Sequence, residues 1–221
     1  MNEGQLESAW DSPGLDVLGV LGRIAPGSAV ADCGCFGWSL ARACEGPGHR
    51  LVGIDRVEPP GRPASAAFHG MVGPRLDVPD DHVDLAVANH VLEHMSDPVA
   101  LFGELARITV PGGLVWIEAP SELSALARGS DDPTGHAFAS FWDDPTHVRP
   151  WTPGALYRLA LSWRCRPLVC ARGVAGSIPV SRLLARKPAA LRGATPYRFV
   201  SLEHVPPGLA AAWASVWPDE E

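Results

Sequence analysis

A chain of 221 residues, 46% hydrophobic and 19% charged, has the length and composition of one large globular domain. A formal net charge of −7 and a single lysine, Lys187, provide no basic stripe for a phosphate backbone, which argues against a nucleic-acid partner. No run approaches the roughly 20 apolar residues of a membrane helix, and five cysteines without disulfide or paired CxxC spacing, after an amino terminus lacking a basic and then apolar leader, predict reduced thiols in the cytoplasm.

Residues 15–24 have helical apolar spacing and stop at Pro26-Gly27, and residues 28–35 form a short apolar run suited to a buried strand. Residues 39–44 suit a helix closed by Glu45-Gly46-Pro47-Gly48, and residues 50–54 a second strand that ends at Asp55. A weaker third strand covers 66–72 and a clearer fourth 83–89. Asp97-Pro98 supplies an N-cap and a first-turn proline for a helix to about Thr109, and Pro111-Gly112-Gly113 turns the chain into a fifth strand at 114–119. Residues 120–150 are polar and aromatic, long enough to read as a lid or binding loop, and Thr152-Pro153 restarts a helix. Beyond it, residues 166–174 and 197–205 read as two further strands and 209–217 as a closing helix. Strands alternating with helices predict a doubly wound, Rossmann-like α/β sheet covered on both faces, with 1–221 as a single domain.

In such sheets ligands bind beyond the carboxyl ends of the strands. The first of these turns reads Asp32-Cys33-Gly34-Cys35-Phe36-Gly37-Trp38. Its glycines allow close backbone approach, and Asp55 at the end of strand two is placed to accept hydrogen bonds from ribose hydroxyls, so a nucleoside is expected. Gly34 followed by Asp55 is also the spacing of a nicotinamide-dinucleotide fold, although G-x-G-x-x-G is absent.

The middle of the chain is more specific. Asp80-Asp81-His82-Val83-Asp84-Leu85, then Asn89-His90-Val91-Leu92-Glu93-His94, Asp97-Pro98 and Pro111-Gly112-Gly113-Leu114 together resemble the class I S-adenosylmethionine-dependent methyltransferases. Asp144-Pro145-Thr146-His147-Val148-Arg149-Pro150-Trp151-Thr152-Pro153 resembles a segment of that family's type 11 group. The resemblance implies a mostly parallel seven-stranded sheet with an antiparallel last strand and S-adenosylmethionine as cofactor. It implies that Asp32, Gly34, Cys35, Phe36 and Gly37 hold the methionine part, that Asp55 takes the ribose, and that Asn89, His90 and Glu93 border the cofactor, with His94 near the acceptor. Met71 stands where many members have an acid for the adenine amino group, and it accepts no strong hydrogen bond. Phe36 and Trp38 replace the family's second and third glycines, which puts two rings where backbone approaches the ligand and leaves open a non-catalytic binding module of the same fold.

Methyl transfer from a sulfonium is an in-line displacement in which the protein aligns the acceptor and, for a hydroxyl, removes a proton. His147, between Asp144 and Arg149, is the first candidate base, the alternative being a side chain that pins its loop through a backbone hydrogen bond. His94 is the second, the alternative being a helix-start residue packed beside Glu93. Trp142, Arg149 and Trp151 are candidates to line an acceptor pocket or simply to pack the loop. Asp143, Asp144 and His147 together offer oxygen and nitrogen ligands to a divalent metal, but tandem carboxylates before Pro145 read rather as turn formers, so no metal is expected. Cys33 and Cys35 are expected on one side of their strand as packing residues. The reading is methyl transfer from S-adenosylmethionine to a small-molecule or glycan-like acceptor.

Overall fold

Short apolar runs punctuated by glycine and proline become the strands of one sheet. The structure, a computed structural model, describes residue 10, residues 14–127, residue 129 and residues 140–189. Its strands are β1 (Ala29–Cys33), β2 (Arg50–Asp55), β3 (Ala67–Val72), β4 (Arg75–Leu76), β5 (Val83–Asn89), β6 (Thr109–Pro120), β7 (Arg166–Ala175) and β8 (Ile178–Arg186). The helices are α1 (Val17–Leu21), α2 (Ala41–Glu45), α3 (Pro98–Ile108) and α4 (Pro153–Ser162). The last two start as their sequences predict: the side chains of Asp97 and Thr152 accept from the amides of Ala100 and Ala155, and a proline opens each first turn.

The sheet runs β4-β3-β2-β1-β5-β6-β8-β7. Strands β3, β2, β1, β5 and β6 are parallel, and β8 is antiparallel to both its neighbours. Alternation with period two sends Ala31, Cys33, Ala86, Ala88, Val115 and Ile117 to one face, under α3 and α4. Val30, Leu85, Val87, Leu114 and Trp116 go to the other face, under α1 and α2. After β1 the chain winds outward through β2 and β3, then returns to β5 on β1's other side. The crevice between the carboxyl ends of β1 and β5, where Cys33 pairs in register with Ala88, is therefore the topological switch point at which such sheets bind ligands.

The mostly parallel α/β class holds, and three details differ from the sequence reading. The sheet has eight strands, because Gly73 at φ +58° folds Arg75–Leu76 back as a short antiparallel edge on β3. The seventh and eighth strands form a hairpin across Gly176 at φ +60°, so the run after β7 is a strand where none was expected. Pro179, Ser181 and Arg182 hide it from an apolar pattern, yet Ser181 donates to the Trp151 carbonyl and Arg182 ion-pairs with Glu118, so its buried polar groups are satisfied from far along the chain. The strand expected at 197–205 and the helix at 209–217 lie outside the described residues. Finally, Cys33 and Cys35 enter opposite core clusters, because Gly34 at φ +80° ends the alternation between them. All five cysteines are free thiols.

Candidate active site at the carboxyl ends of the strands

The turn after β1 is tied to β2: the amides of Gly34 and Cys35 both donate to the Ile54 carbonyl, at 2.8 and 3.3 Å. A Cβ on Gly34 would stand 2.5 Å from Cγ2 of Val91, so glycine lets this turn close against the segment after β5. Gly37, at φ +69°, faces open space. The two rings that replace glycines diverge. Phe36 is 85% exposed, whereas Trp38, at φ +53°, turns its ring under the sheet edge. There the ring fills the room left by Gly53, whose added Cβ would be 2.3 Å away, and its Nε1–H donates to the Pro59 carbonyl. Trp38 thus packs the core instead of crowding the turn, which corrects the expectation drawn from its position in the motif.

Asp32 ends up buried near the tip of β1, with Oδ2 unpartnered. Burial, reinforced by the nearby Asp55 carboxylate, pushes its pKa up to about 7. Asp55 is half-buried at the end of β2 and accepts from the Arg56 amide. Met71 lies on β3 in the apolar cluster with Leu76 and Val78.

Past β5, Asn89 accepts from the Trp116 indole at 2.9 Å. His90, at φ +53°, aims Nδ1 at Glu93 (3.4 Å) and Nε2 at Glu118 (3.5 Å). Burial alone would lower the pKa of His90, but the two carboxylates outweigh it and raise the pKa to about 9, so His90 is a cation at neutral pH. Against the effect of burial, His90 and Arg182 hold Glu118 below the ordinary carboxylate range. Arg182 is itself buried, donating to Glu118 at 2.5 Å and to the carbonyls of Leu15 and Val174. Glu93 is fully buried, and neither of its oxygens makes a hydrogen bond.

The described part of the expected lid docks here: the Val148 amide donates to the Glu93 carbonyl at 2.7 Å. His147 Nδ1 lies 2.7 Å from the Phe141 carbonyl, and the ring stands 4.7 Å, centroid to centroid, from that of His94. His94 Nδ1 lies 2.8 Å from Thr146 Oγ1, which donates in turn to Asp144. Burial opposes ionisation of Asp144, but hydrogen bonds from Thr146 and the two imidazoles prevail and lower its pKa.

Residues 7–162 match a family model described as a methyltransferase domain. The chain belongs to this family. That family is the class I S-adenosylmethionine-dependent methyltransferases, as the residue pattern implied. The chain is 30% identical over 147 residues to a malonyl-[acyl-carrier protein] O-methyltransferase of Serratia marcescens, a match covering 63% of this chain and 54% of that protein, so it spans about half of the relative's length. Among solved structures, it resembles in fold the 1,6-didemethyltoxoflavin N1-methyltransferase of Burkholderia thailandensis, bound to its substrate and S-adenosylhomocysteine (TM-score 0.60, 19% identity, 77% of this chain and 76% of that one). It likewise resembles the [4+2]-cyclase SpnF (TM-score 0.60, 16% identity, 82% and 86%).

The chain has a donor set that suits this cofactor. S-adenosylmethionine carries a positive sulfonium and a positive amino group, and the switch point presents a buried, unpartnered carboxylate beside a second one. Asp55 suits the ribose of either cofactor, but a dinucleotide's pyrophosphate at this turn would bring negative charge against Asp32, which favours the sulfonium cofactor.

The fold gathers Asp32, Gly34, Asp55, Asn89, His90, Glu93, His94 and His147 around one end of the sheet. It does not place all the candidate acceptor residues alike. Trp142 is 62% exposed, Arg149 lies over the Trp151 ring at 5.4 Å, and Trp151 itself is buried in the core, its carbonyl taken by Ser181. The expected turn roles of the tandem acids are present: Asp143 closes a capping box with Ser140, and Asp144 accepts from the Thr146 amide. Sequence reasoning missed Glu118, Arg182 and Thr146. Glu118 had a signal, as a lone charge in the apolar run 114–119. Arg182 had none, because its strand went unread.

Proposed function

We propose that this chain transfers the methyl group of S-adenosylmethionine to a small-molecule or glycan-like acceptor, in a reducing, cytoplasmic setting. The observation that carries the proposal is the orphaned Asp32 carboxylate at the glycine turn. In this reading Asp32, with the backbone of Gly34 to Gly37, holds the cationic methionine end, and Asp55 takes the ribose hydroxyls. Adenine is held by apolar contact and backbone groups near Met71, since no acid stands there. When bound, the cofactor supplies an electrophilic methyl carbon on a good leaving group.

What the chain's own residues do is orient and deprotonate. His94 and His147 face the segment beyond Glu93, and each has its Nδ1 engaged by an oxygen of the chain, which leaves Nε2 as the nitrogen able to act on an acceptor. The hydrogen bonds of His147 to the Phe141 carbonyl and of His94 to the Thr146 hydroxyl are compatible with that role, since each holds one tautomer. Trp142 and Phe36 are exposed apolar surfaces available to an acceptor. An acidic chain with one lysine favours a small acceptor over a nucleic acid, and among the described residues no helix is long and apolar enough to cross a membrane.

A relative named as a malonyl-[acyl-carrier protein] O-methyltransferase and a structural neighbour named as a 1,6-didemethyltoxoflavin N1-methyltransferase support a small acceptor group, free or carried. The test is release of S-adenosylhomocysteine during incubation with a panel of carboxylic acids, phenols and ring amines. Turnover that falls about 100-fold in His147→Ala while donor affinity is unchanged would support the assignment. No turnover on any acceptor class by folded, donor-binding protein would sink it.

A further inference from the structure

Glu93, His94 and His147 each offer one ligand atom within 4.8 Å of the others. What surrounds them is unusual for a cluster of packing residues. The Glu93 carboxylate is fully buried and neither of its oxygens meets a hydrogen-bond partner; His90, whose Nδ1 stands 3.4 Å from Oε1, supplies a counter-charge without a hydrogen bond. A buried carboxylate left short of hydrogen bonds is costly, and a cation bound directly to it would offset that cost.

The two imidazoles are held in one tautomer. The Phe141 carbonyl can only accept, so His147 donates from Nδ1, and its Nε2 keeps a lone pair. The hydroxyl proton of Thr146 goes to Asp144 at 2.6 Å, so the hydroxyl accepts from His94 Nδ1, and His94 Nε2 also keeps its lone pair. Histidines whose far nitrogen is fixed by a carbonyl, or by a hydroxyl that is itself anchored to a carboxylate, are in the condition of metal ligands, where that outer hydrogen bond sets ring orientation and basicity. Asp144 Oδ2, 3.7 Å from His147 Nε2, adds negative charge at the rim.

We propose that Glu93, His94 and His147 form a divalent-cation site, with one carboxylate oxygen and two imidazole nitrogens as ligands. Two nitrogens and one oxygen suit a borderline ion such as zinc, cobalt or iron(II) rather than calcium or magnesium, which take all-oxygen shells. Three protein ligands leave coordination positions open, and an oxygen acceptor bound there has its pKa lowered. Its proton passes to solvent, its lone pair forms the new C–O bond, and the C–S bond breaks to give the neutral thioether. The imidazoles then act on the acceptor through the ion. This role rests on the proposed methyl transfer; the site itself does not.

The experiment is a titration of the metal-stripped full chain with cobalt(II), followed by visible d–d absorption, with S-adenosylmethionine binding measured on the same sample. The expected result is about one ion per chain, no thiolate-to-cobalt band, affinity lowered at least tenfold in His94→Ala and in His147→Ala, and about tenfold in Thr146→Val, which loses only the outer hydrogen bond. Folded protein that takes up no cobalt at millimolar concentration overturns the site, as does uptake that Thr146→Val and both histidine variants leave unchanged. Donor binding without cobalt uptake removes the cation alone; cobalt uptake without donor binding removes the methyl-transfer reading alone.

Discussion

The two ends of the sheet treat charge in opposite ways. At the amino ends of β5 and β6, the only lysine reaches through the fold: Lys187 is buried and donates to Asp81 and to the carbonyls of Thr109 and Arg107. Arg107 likewise meets Glu104, Asp80 and the carbonyls of Val78 and Leu76, and Asp84 accepts from the Ala29 amide. At the carboxyl ends, buried carboxylates are left over. Among the described residues the buried carboxylate oxygens without a hydrogen-bond partner belong to Asp32, Glu93 and Glu122, all at that end. Glu122 still pairs with Arg172 and Glu93 faces His90, but Asp32 has only a second carboxylate, Asp55, beside it. One end uses charge to close the fold, and the other keeps, in Asp32, a buried carboxylate with no cation beside it, as a site for a cationic ligand would.

Substitutions at the two ends should therefore differ in sign. Lys187→Ala strands Asp81 and two carbonyls, and urea unfolding should show a loss of about 2–3 kcal/mol while donor affinity stays put. A loss of donor affinity with stability intact would break the contrast. Asp32→Asn should do the reverse. Donor affinity should fall about 10–100-fold, roughly 1.4–2.8 kcal/mol, because a charge-assisted contact is gone. Thermal stability without ligand should rise, since the variant no longer buries an ionisable group with an orphaned oxygen.

The pH dependence sharpens this point. The folded pKa of Asp32, about 7, lies above its ordinary value of 3.8, so its contribution to stability is fully present below that ordinary value and is lost as pH rises through 7. The gain in Asp32→Asn should therefore be largest above pH 7 and vanish in acid. A cationic donor needs the ionised form, so wild-type affinity should weaken by up to about tenfold per pH unit below 7 and stay flat in Asp32→Asn. His90 gives a smaller effect at the same end. Its pKa is raised from 6.5 to about 9, so its stabilising contribution is complete below 6.5 and disappears as pH climbs through 9. Melting temperatures across that window should decline less in His90→Gln; equal slopes would show that the Glu93 and Glu118 contacts contribute nothing.

Much of the fold is legible in the chain because its signals are local. Asp97-Pro98 and Thr152-Pro153 cap α3 and α4 where they stand, and the runs at β1, β2 and β5 are mostly apolar, with their charged residues near the ends. What escaped notice is non-local. β8 reads as polar until Glu118 and Trp151, 64 and 30 residues away, take up Arg182 and Ser181. The candidate site shows the same division. Asp32, Gly34 and Asp55 stand out as strand-end residues, whereas the meeting of Glu93 and His94 with His147 depends on the Val148 amide docking on the Glu93 carbonyl. Trp38 was misjudged because motif position says where a residue sits, and only Gly53 says where its ring goes.

The most direct test of the central claim is calorimetric titration with S-adenosylmethionine at pH 7 in two buffers of different ionisation enthalpy, with NAD as the control. The account predicts micromolar binding, about −8 kcal/mol, with about half a proton released from wild type and none from Asp32→Asn, and no heat from NAD. Folded protein that binds NAD instead, or that ignores S-adenosylmethionine altogether, would contradict it.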